Sequence, residues 1–158
     1  MRAVISIGSN LGDRLGYLRS AVSGLPGVRA VSPVYETAPW GGVDQDDFLN
    51  AVVLADTELD PKEWLVLAHR LEDAAGRERS VRWGPRTLDV DLVDIEGVRR
   101  ATDDLTLPHP RAAERAFVLV PWLDVEPNAV LPGHGPVDAL AATLDTGVVR
   151  RTDLVAAR

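Results

Sequence analysis

Two aspartates in a short alternating segment are the residues best placed to do chemistry. Asp89 and Asp91 are separated by one residue and alternate with Leu88, Val90 and Leu92. In a β-strand, residues two apart project from the same face, about 6.6 Å apart along the chain. Two carboxylates held in this way can bind one or two hard cations such as Mg²⁺. The simpler alternative is an amphipathic edge strand with solvated aspartates, although aspartate is unfavourable in strands.

A cluster of arginines directly precedes these aspartates. It comprises Arg77, Arg79, Arg82 and Arg86, within a chain whose formal net charge is −7. Guanidinium groups stay charged, and their donors match phosphate oxygens. Trp83 lies among them beside a glycine and a proline, a combination typical of a loop that closes over a ligand. For any single arginine, a solvated loop residue is the simpler interpretation. The cluster and the aspartate pair together indicate phosphoryl-type transfer.

An acceptor for the transferred group is indicated by Phe48 and Asn50, which share one face of a predicted strand. Phe117 is the only other phenylalanine. A planar heterocycle could therefore lie between the two rings while the amide binds its edge. For each phenylalanine taken alone, core packing is the simpler interpretation.

Two further segments carry weaker signals. His109 lies between Pro108 and Pro110 in a stiff turn, where a lone histidine is more often structural than functional. The turn Gly8-Ser9-Asn10 could approach a phosphate. The motif G-x-x-x-x-G-K-[ST] is missing from the sequence, which excludes a P-loop kinase.

The spacing of apolar residues predicts the elements that position these side chains. Strands are predicted over Met1–Ile7, Val28–Glu36, Phe48–Ala55 and Thr87–Ile95. One helix is predicted before Pro26, and a second begins at Asp60 with a capping box and ends near Gly76. Beyond Pro108 the pattern is mixed, with a short helix near Val137–Leu144. The order strand–helix–strand–strand–helix–strand predicts an α+β sandwich, in which helices cover a largely antiparallel sheet.

Composition limits the class of protein. We expect residues 1–158 to form a single domain of an ordinary globular protein. The acidic balance argues against a nucleic-acid partner, and the sequence has no signal peptide or membrane-spanning stretch. Cysteine is absent, which agrees with a cytoplasmic location. A monomer is expected, since no sustained exposed apolar surface can be read from the sequence.

Four blocks of the sequence together resemble one enzyme family. They read ISIGSNLGDR, VSPVYETAPWGGVDQDDFLNAVV, LEDAAGRERSVRWGPRTLDVDL and LTLPHPRAAERAFVLVPWLDVEP. In this order they resemble the 6-hydroxymethyl-7,8-dihydropterin pyrophosphokinases of folate biosynthesis. The resemblance implies a ferredoxin-like fold with mobile loops around the site. It also implies transfer of pyrophosphate from ATP, the co-substrate, to the hydroxymethyl group of the dihydropterin, with two Mg²⁺ ions.

The resemblance also implies roles for individual residues. Asp89 and Asp91 would hold both metals, and with Arg77 and Arg86 they form the catalytic set. The residues that would bind ATP are Glu72, His69, Arg77, Arg79, Arg82, Trp83, Arg86, His109 and Arg115. Those that would bind the pterin are Thr37, Ala38, Trp40, Phe48, Asn50, Asp89 and Phe117. Pro110, Trp40 and Ala38 depart from residues found in other members, which concerns the details of the loops and not the reaction.

Two other functions fit parts of the pattern. A metal-dependent nucleotidyl or glycosyl transferase can also use paired aspartates, and it would place AMP or a sugar in the product. A non-catalytic regulatory domain of the same fold would bind a small ligand. That second alternative leaves the aspartate pair and the arginine cluster without a role.

Overall fold

A computed structural model describes residues 1–38, 47–76 and 87–157 of the chain. The elements in chain order are β1 (Arg2–Ser9), α1 (Arg14–Gly24), β2 (Val28–Val31), β3 (Pro33–Thr37), β4 (Phe48–Asp56), α2 (Pro61–Ala74), β5 (Asp89–Ile95), β6 (Arg100–Ala101), β7 (Thr106–Leu107), α3 (Ala116–Val125), β8 (Val130–Leu131), β9 (Gly135–Pro136), α4 (Val137–Ala141) and β10 (Val149–Val155). Short 3-10 turns at Ala112–Glu114 and Thr146–Val148 precede α3 and β10.

Six of these strands form one antiparallel sheet. Five of them follow the order β10-β3-β4-β1-β5, and the sixth, β2, pairs with β4 beside β3. β2 and β3 pair with successive parts of β4, and β1 is central because it pairs with both β4 and β5. This arrangement confirms the predicted α+β fold, a ferredoxin-like sandwich with a largely antiparallel sheet. In the part of the chain that the structure describes, β5 lies at one edge of the sheet.

Helices cover both faces of the sheet. Side chains of β1 alternate between the faces, so that Ile5 packs on one side and Val4 on the other. Trp64 of α2 is buried in the first core, together with residues of α1. Trp122 of α3 is buried in the second core, together with residues of α4. The sheet is therefore shared by two apolar cores.

The second helix begins where the sequence predicted. The Asp60 carboxylate accepts a hydrogen bond from the Glu63 backbone N–H at 2.8 Å, and the Glu63 carboxylate accepts one from the Asp60 N–H at 3.1 Å. This capping box satisfies donors that the helix leaves free, and Pro61 fits the first helical position. The helix places Glu72 in its last turn.

The predicted strand Val28–Glu36 is wrong as a single element, because it breaks at Ser32. The Ser32 hydroxyl accepts a hydrogen bond from the Val52 backbone N–H at 2.9 Å and donates one to the Pro33 carbonyl at 2.8 Å. Pro33 has no backbone N–H to offer the adjacent strand. At the break between β2 and β3, the side chain of Ser32 therefore takes over part of the backbone pairing with β4.

The region after Pro108 is more regular than the mixed pattern that the sequence predicts. It contains α3 and β10, neither of which was predicted, and the predicted short helix ends at Ala141. The other differences are small: β5 begins at Asp89, two residues later than predicted, and β4 extends to Asp56.

Candidate active site

A row of residues in register crosses the sheet on the face covered by α3. Asn50 of β4 lies opposite Gly8 of β1, which in turn lies opposite Asp89 of β5. Adjacent strands are about 4.8 Å apart, so the predicted acceptor-binding amide and the predicted metal-binding carboxylate begin about 10 Å from each other. Gly8 separates them without a side chain. A methyl group there would lie 2.8 Å from Asn50 Oδ1.

The two aspartates project from the same face of β5, as the sequence predicted. Asp91 lies opposite Ser6, and both carboxylates are partly buried. Arg115 Nη1 lies 3.8 Å from Asp91 Oδ2, and the same guanidinium lies 5.6 Å from the centroid of the Phe117 ring. Arg115 therefore connects the aspartate pair with one of the predicted acceptor-binding rings.

The donor set on β5 fits magnesium better than a cation that needs a complete protein cage. Among residues 1–38, 47–76 and 87–157, no group of three or more His, Asp or Glu side chains could hold a metal ion. Mg²⁺ is usually bound by one or two carboxylates, with water and substrate phosphate completing its shell. Asp89 and Asp91 provide this pair of carboxylates.

A cleft of about 350 Å³ runs along the outer edge of β5. Its walls are β5, α2, the hairpin of β6 and β7, and the segment that contains His109. All the predicted metal and nucleotide residues in the described ranges except Arg115 line this cleft: His69, Glu72, Asp89, Asp91 and His109. A cleft of this kind, lined in part by carboxylates, can hold an extended ligand such as a nucleoside triphosphate.

Glu72 fixes the wall of this cleft. Its side chain is 2% exposed, and its Oε2 accepts a hydrogen bond from the Val90 backbone N–H at 2.9 Å. The buried N–H of Val90 on the edge strand β5 is thus satisfied by a carboxylate from α2. Glu72 consequently holds the strand segment between Asp89 and Asp91 against the helix, whereas His69 is exposed at the rim.

His109 is held as a neutral side chain. Burial, followed by the positive charge of Arg115, lowers its pKa to about 4, although Asp89 opposes the shift. Its Nδ1 accepts a hydrogen bond from the Arg111 backbone N–H at 3.1 Å, and its own backbone N–H donates to the Val93 carbonyl at 2.7 Å. In the neutral ring the proton is then on Nε2, which can donate to an anionic ligand.

A second cavity, of about 340 Å³, lies between β3 and α3. Thr37, Ala38, Arg115 and Phe117 line it, as predicted for the acceptor or nucleotide sites. Phe48 lies directly opposite Thr37 in the sheet, and Asn50 Nδ2 donates to Thr37 Oγ1 at 2.8 Å. The predicted acceptor-binding residues in the described ranges are therefore close together on one sheet face.

The C-terminal wall of this cavity was missed in the sequence. It is formed by residues near α3 and from the segment leading into β10: Glu114, Ala116, Leu144, Asp145, Val148 and Val149. The apolar residues in this segment carry no chemical signal, and only the pairing of β10 with β3 brings them to the cavity. Six predicted site residues lie outside the described residues: Trp40, Arg77, Arg79, Arg82, Trp83 and Arg86.

The sequence is similar to those of known proteins. The sequence matches the 7,8-dihydro-6-hydroxymethylpterin-pyrophosphokinase (HPPK) family over residues 4–127. Proteins named 2-amino-4-hydroxy-6-hydroxymethyldihydropteridine pyrophosphokinase from Mycobacterium leprae and Mycobacterium tuberculosis are 55% and 51% identical to it. Each alignment covers 91% of this chain, and 83% and 84% of the respective relatives. A Bacillus subtilis protein of the same name is 46% identical over 78% of this chain and 77% of its own length.

A solved structure shows the same fold at much lower identity. The crystal structure of wild-type Plasmodium falciparum HPPK-DHPS matches 90% of this chain with a TM-score of 0.66 and 15% identity. The match covers 40% of that longer chain. Because the family pattern spans most of the sequence and the bacterial relatives are about half identical to it, the chain belongs to the 7,8-dihydro-6-hydroxymethylpterin-pyrophosphokinase family.

Proposed function

We propose that the chain transfers pyrophosphate from ATP to the hydroxymethyl group of 6-hydroxymethyl-7,8-dihydropterin, giving the pterin diphosphate and AMP. The observation that supports this proposal is the row Asn50–Gly8–Asp89, in which the hydrogen-bond partner of Thr37 and a carboxylate of the cleft lie two strands apart. Transfer between two bound molecules requires their reacting atoms to be held together. Two contacts link the cavities: Asn50 donates to Thr37 of the cavity wall, and Arg115, which also lines the cavity, lies 3.8 Å from Asp91 of the cleft.

In the cleft, Asp89 and Asp91 would hold two Mg²⁺ ions. Bound there, Mg²⁺ would neutralise the phosphate chain and make its phosphorus atoms more electrophilic. His109 is neutral at working pH and offers its Nε2 proton to phosphate oxygen. Arg115 adds a positive charge close to the carboxylates. The arginines at 77, 79, 82 and 86 and Trp83 are proposed to cover the phosphates, on sequence grounds.

In the cavity between β3 and α3, the pterin ring would lie against Phe117, with Phe48 on its other side. Asn50 would bind the edge of the ring, with backbone groups at Thr37 and Ala38 assisting. The Asn50–Thr37 hydrogen bond orients the amide before the ligand binds. An amide oriented in advance costs less entropy on binding.

The chain is proposed to act on small molecules as a monomer, and to do so in the cytoplasm, where its co-substrate ATP is present. Within the described ranges, the helices are all too short or too polar to cross a membrane. The experiment that tests the reaction is incubation with ATP, Mg²⁺ and the dihydropterin, followed by mass analysis. We expect AMP and the pterin diphosphate as products. AMP incorporated into the pterin would instead identify a nucleotidyl transferase.

The metal assignment is tested by Asp91→Asn. Loss of a residue that merely orients a metal ligand costs 10- to 100-fold, so loss of a ligand is expected to lower turnover by more than about 100-fold. The matched control is Asp153→Asn on the exposed β10, which is expected to leave turnover unchanged. Near-normal turnover in Asp91→Asn contradicts the assignment. Titration calorimetry with a non-hydrolysable ATP analogue, with and without Mg²⁺, completes the test. An affinity that does not depend on Mg²⁺ would favour the non-catalytic regulatory domain.

A further inference from the structure

Four charged residues from distant parts of the chain meet on the sheet face opposite the acceptor cavity. They are Arg14 of α1, Glu36 of β3, Asp47 and Arg150 of β10. Glu36 directly precedes Thr37, and Asp47 directly precedes Phe48. The two carboxylates therefore mark the ends of the two strands that carry acceptor-binding residues. We call these four residues the ion cluster.

Both arginines of the ion cluster bridge the two strand ends. Arg150 lies opposite Glu36 in the sheet register, and its Nη2 is 3.0 Å from Glu36 Oε1 and 2.9 Å from Asp47 Oδ2. Arg14 Nη1 donates to the Asp47 carbonyl oxygen at 2.8 Å and lies 3.4 Å from Glu36 Oε2. A guanidinium holds two acceptors in a fixed geometry, which an isolated ion pair does not.

The ion cluster cannot touch an acceptor bound in the cavity. Successive residues of a strand project from opposite faces, so Glu36 lies on the face away from Thr37. Any influence on the acceptor must therefore pass through the backbone of β3 and β4. At that position the backbone pairs Thr37 with Phe48 and Tyr35 with Asn50.

We propose that Arg14, Glu36, Asp47 and Arg150 are positioning residues, which fix the distance between the two strand ends and thereby the spacing of Thr37, Phe48 and Asn50 around the planar acceptor. The inference rests on the proposed function of the cavity. Because β10 also supplies Val149 to the cavity wall, Arg150 links the C-terminal strand to acceptor binding.

The ion cluster is expected to add little to the stability of the fold. All four side chains are at least 31% exposed, and exposed ion pairs add little to stability. Because the acceptor would be held between two rings and beside an amide, a shift of the strand ends loosens these binding contacts and raises KM without lowering kcat. The ion cluster is thus expected to affect acceptor binding far more than folding.

The test is steady-state kinetics of Arg150→Met, which keeps the aliphatic stem and removes the guanidinium. We expect KM for the dihydropterin to rise about tenfold, while kcat and KM for ATP change less than about twofold. Arg29→Met, the matched control, removes the same charge from an exposed ion pair with Asp56 at the other end of β4. It is expected to leave all three constants unchanged.

A double-mutant cycle that combines Arg150→Met with Asp47→Asn separates the shared positioning role from independent effects of the two residues. If the two residues act together, the double variant raises KM for the dihydropterin no more than the larger single change. Additive changes, equal effects of Arg150→Met and Arg29→Met, or a parallel rise in KM for ATP would each overturn the proposal. Wild-type protein that fails to turn over the dihydropterin would instead contradict the proposed function.

Discussion

At the scale of single residues, Gly8 is the position in the row across the sheet where a side chain does not fit. It lies between Asn50 and Asp89 in the sheet, and a methyl group in its place would approach Asn50 Oδ1 to 2.8 Å. A carbon atom and an oxygen atom that are not bonded do not approach so closely, so the Asn50 amide must move. Because Asn50 also donates to Thr37, moving the amide disturbs a hydrogen bond on the cavity wall.

We predict that Gly8→Ala weakens acceptor binding selectively. Displacement of Asn50 is expected to raise the Kd for the dihydropterin by about tenfold, the effect of losing one net hydrogen bond. The Kd for an ATP analogue with Mg²⁺ is expected to stay within about twofold, since Asn50 does not line that cleft. Titration calorimetry with each ligand measures both.

The control for this substitution is Gly24→Ala at the end of α1. An alanine methyl there meets the flexible tip of Leu71, away from both cavities. It tests the cost of the added methyl group without touching the site. Equal losses of affinity for both ligands in Gly8→Ala, or an equal loss of acceptor affinity in Gly24→Ala, would contradict the role given to Gly8.

Sequence reasoning identified the ends of this row but not its middle. The i, i+2 spacing placed Asp89 and Asp91 on one face, as it did Phe48 and Asn50, because strand alternation is local. Gly8 appeared only as part of a turn, since which residues face one another across strands depends on register. Register is set by pairing between residues far apart in sequence, and a single chain does not reveal it.

At the scale of elements, α2 was predictable and α3 was not. Asp60, Pro61 and Glu63 form a local start signal, and the apolar residues of α2 follow one face. By contrast, α3 is apolar almost throughout and contains Pro121, which cannot donate to the carbonyl of Phe117. Burial on the sheet stabilises α3 despite its proline. β10 was missed because an edge strand with mostly exposed side chains shows no apolar alternation.

The junction of β3 and α3 is fixed by one hydrogen bond. The buried hydroxyl of Tyr35 donates to the Asp124 carboxylate. Tyr35 lies two residues before Thr37, and Asp124 lies two helical turns after Phe117. The bond therefore fixes the position of the helix that carries Phe117 relative to the strand that carries Thr37, and so the width of the acceptor cavity.

We predict a pH-dependent contribution of Tyr35 to stability. Burial, and then the hydrogen bond to Asp124, raise its pKa from 10.0 to about 12. A pKa that is higher in the folded state stabilises the protein fully below pH 10, and this contribution is lost as pH rises towards 12. Tyr35→Phe is expected to cost about 1–3 kcal/mol at pH 9, and the difference is expected to shrink between pH 10 and 12.

Urea unfolding of both proteins at pH 9, 10 and 11 measures this difference. Asp124→Asn keeps the shape of the partner but removes its charge. In that background the free-energy cost of Tyr35→Phe is expected to depend less on pH. A difference between wild type and Tyr35→Phe that is the same at every pH would show that the tyrosine pKa does not contribute.

At the scale of the whole molecule, the two cores are joined by one sheet and by a polar network at its end. Arg2 of β1 binds Asp94 of β5 at 2.8 Å and Glu126 at 2.7 Å, and Glu126 also accepts from Trp122 Nε1 at 3.0 Å. Burial raises the pKa of Asp94 although Arg2 opposes the shift. The network connects both strands with the end of α3, so α3 cannot leave the sheet without exposing a buried carboxylate.

We therefore predict that both cores unfold in one transition. Strand β1 contributes alternate side chains to the two cores, so loss of either core exposes half of the central strand. Trp64 and Trp122 report on the two cores separately, because each is fully buried in one of them.

After Trp40→Phe and Trp83→Phe, a further Trp122→Phe or Trp64→Phe leaves a single tryptophan in one core. In each variant, the urea midpoint from fluorescence is expected to equal that from far-ultraviolet circular dichroism. Because each comparison is made within one variant, a loss of stability from the substitutions does not affect it. A Trp122 signal that changes at lower urea than the dichroism, while the Trp64 signal does not, would show that the layer of α3 and α4 unfolds first and that the acceptor cavity opens independently of the nucleotide cleft.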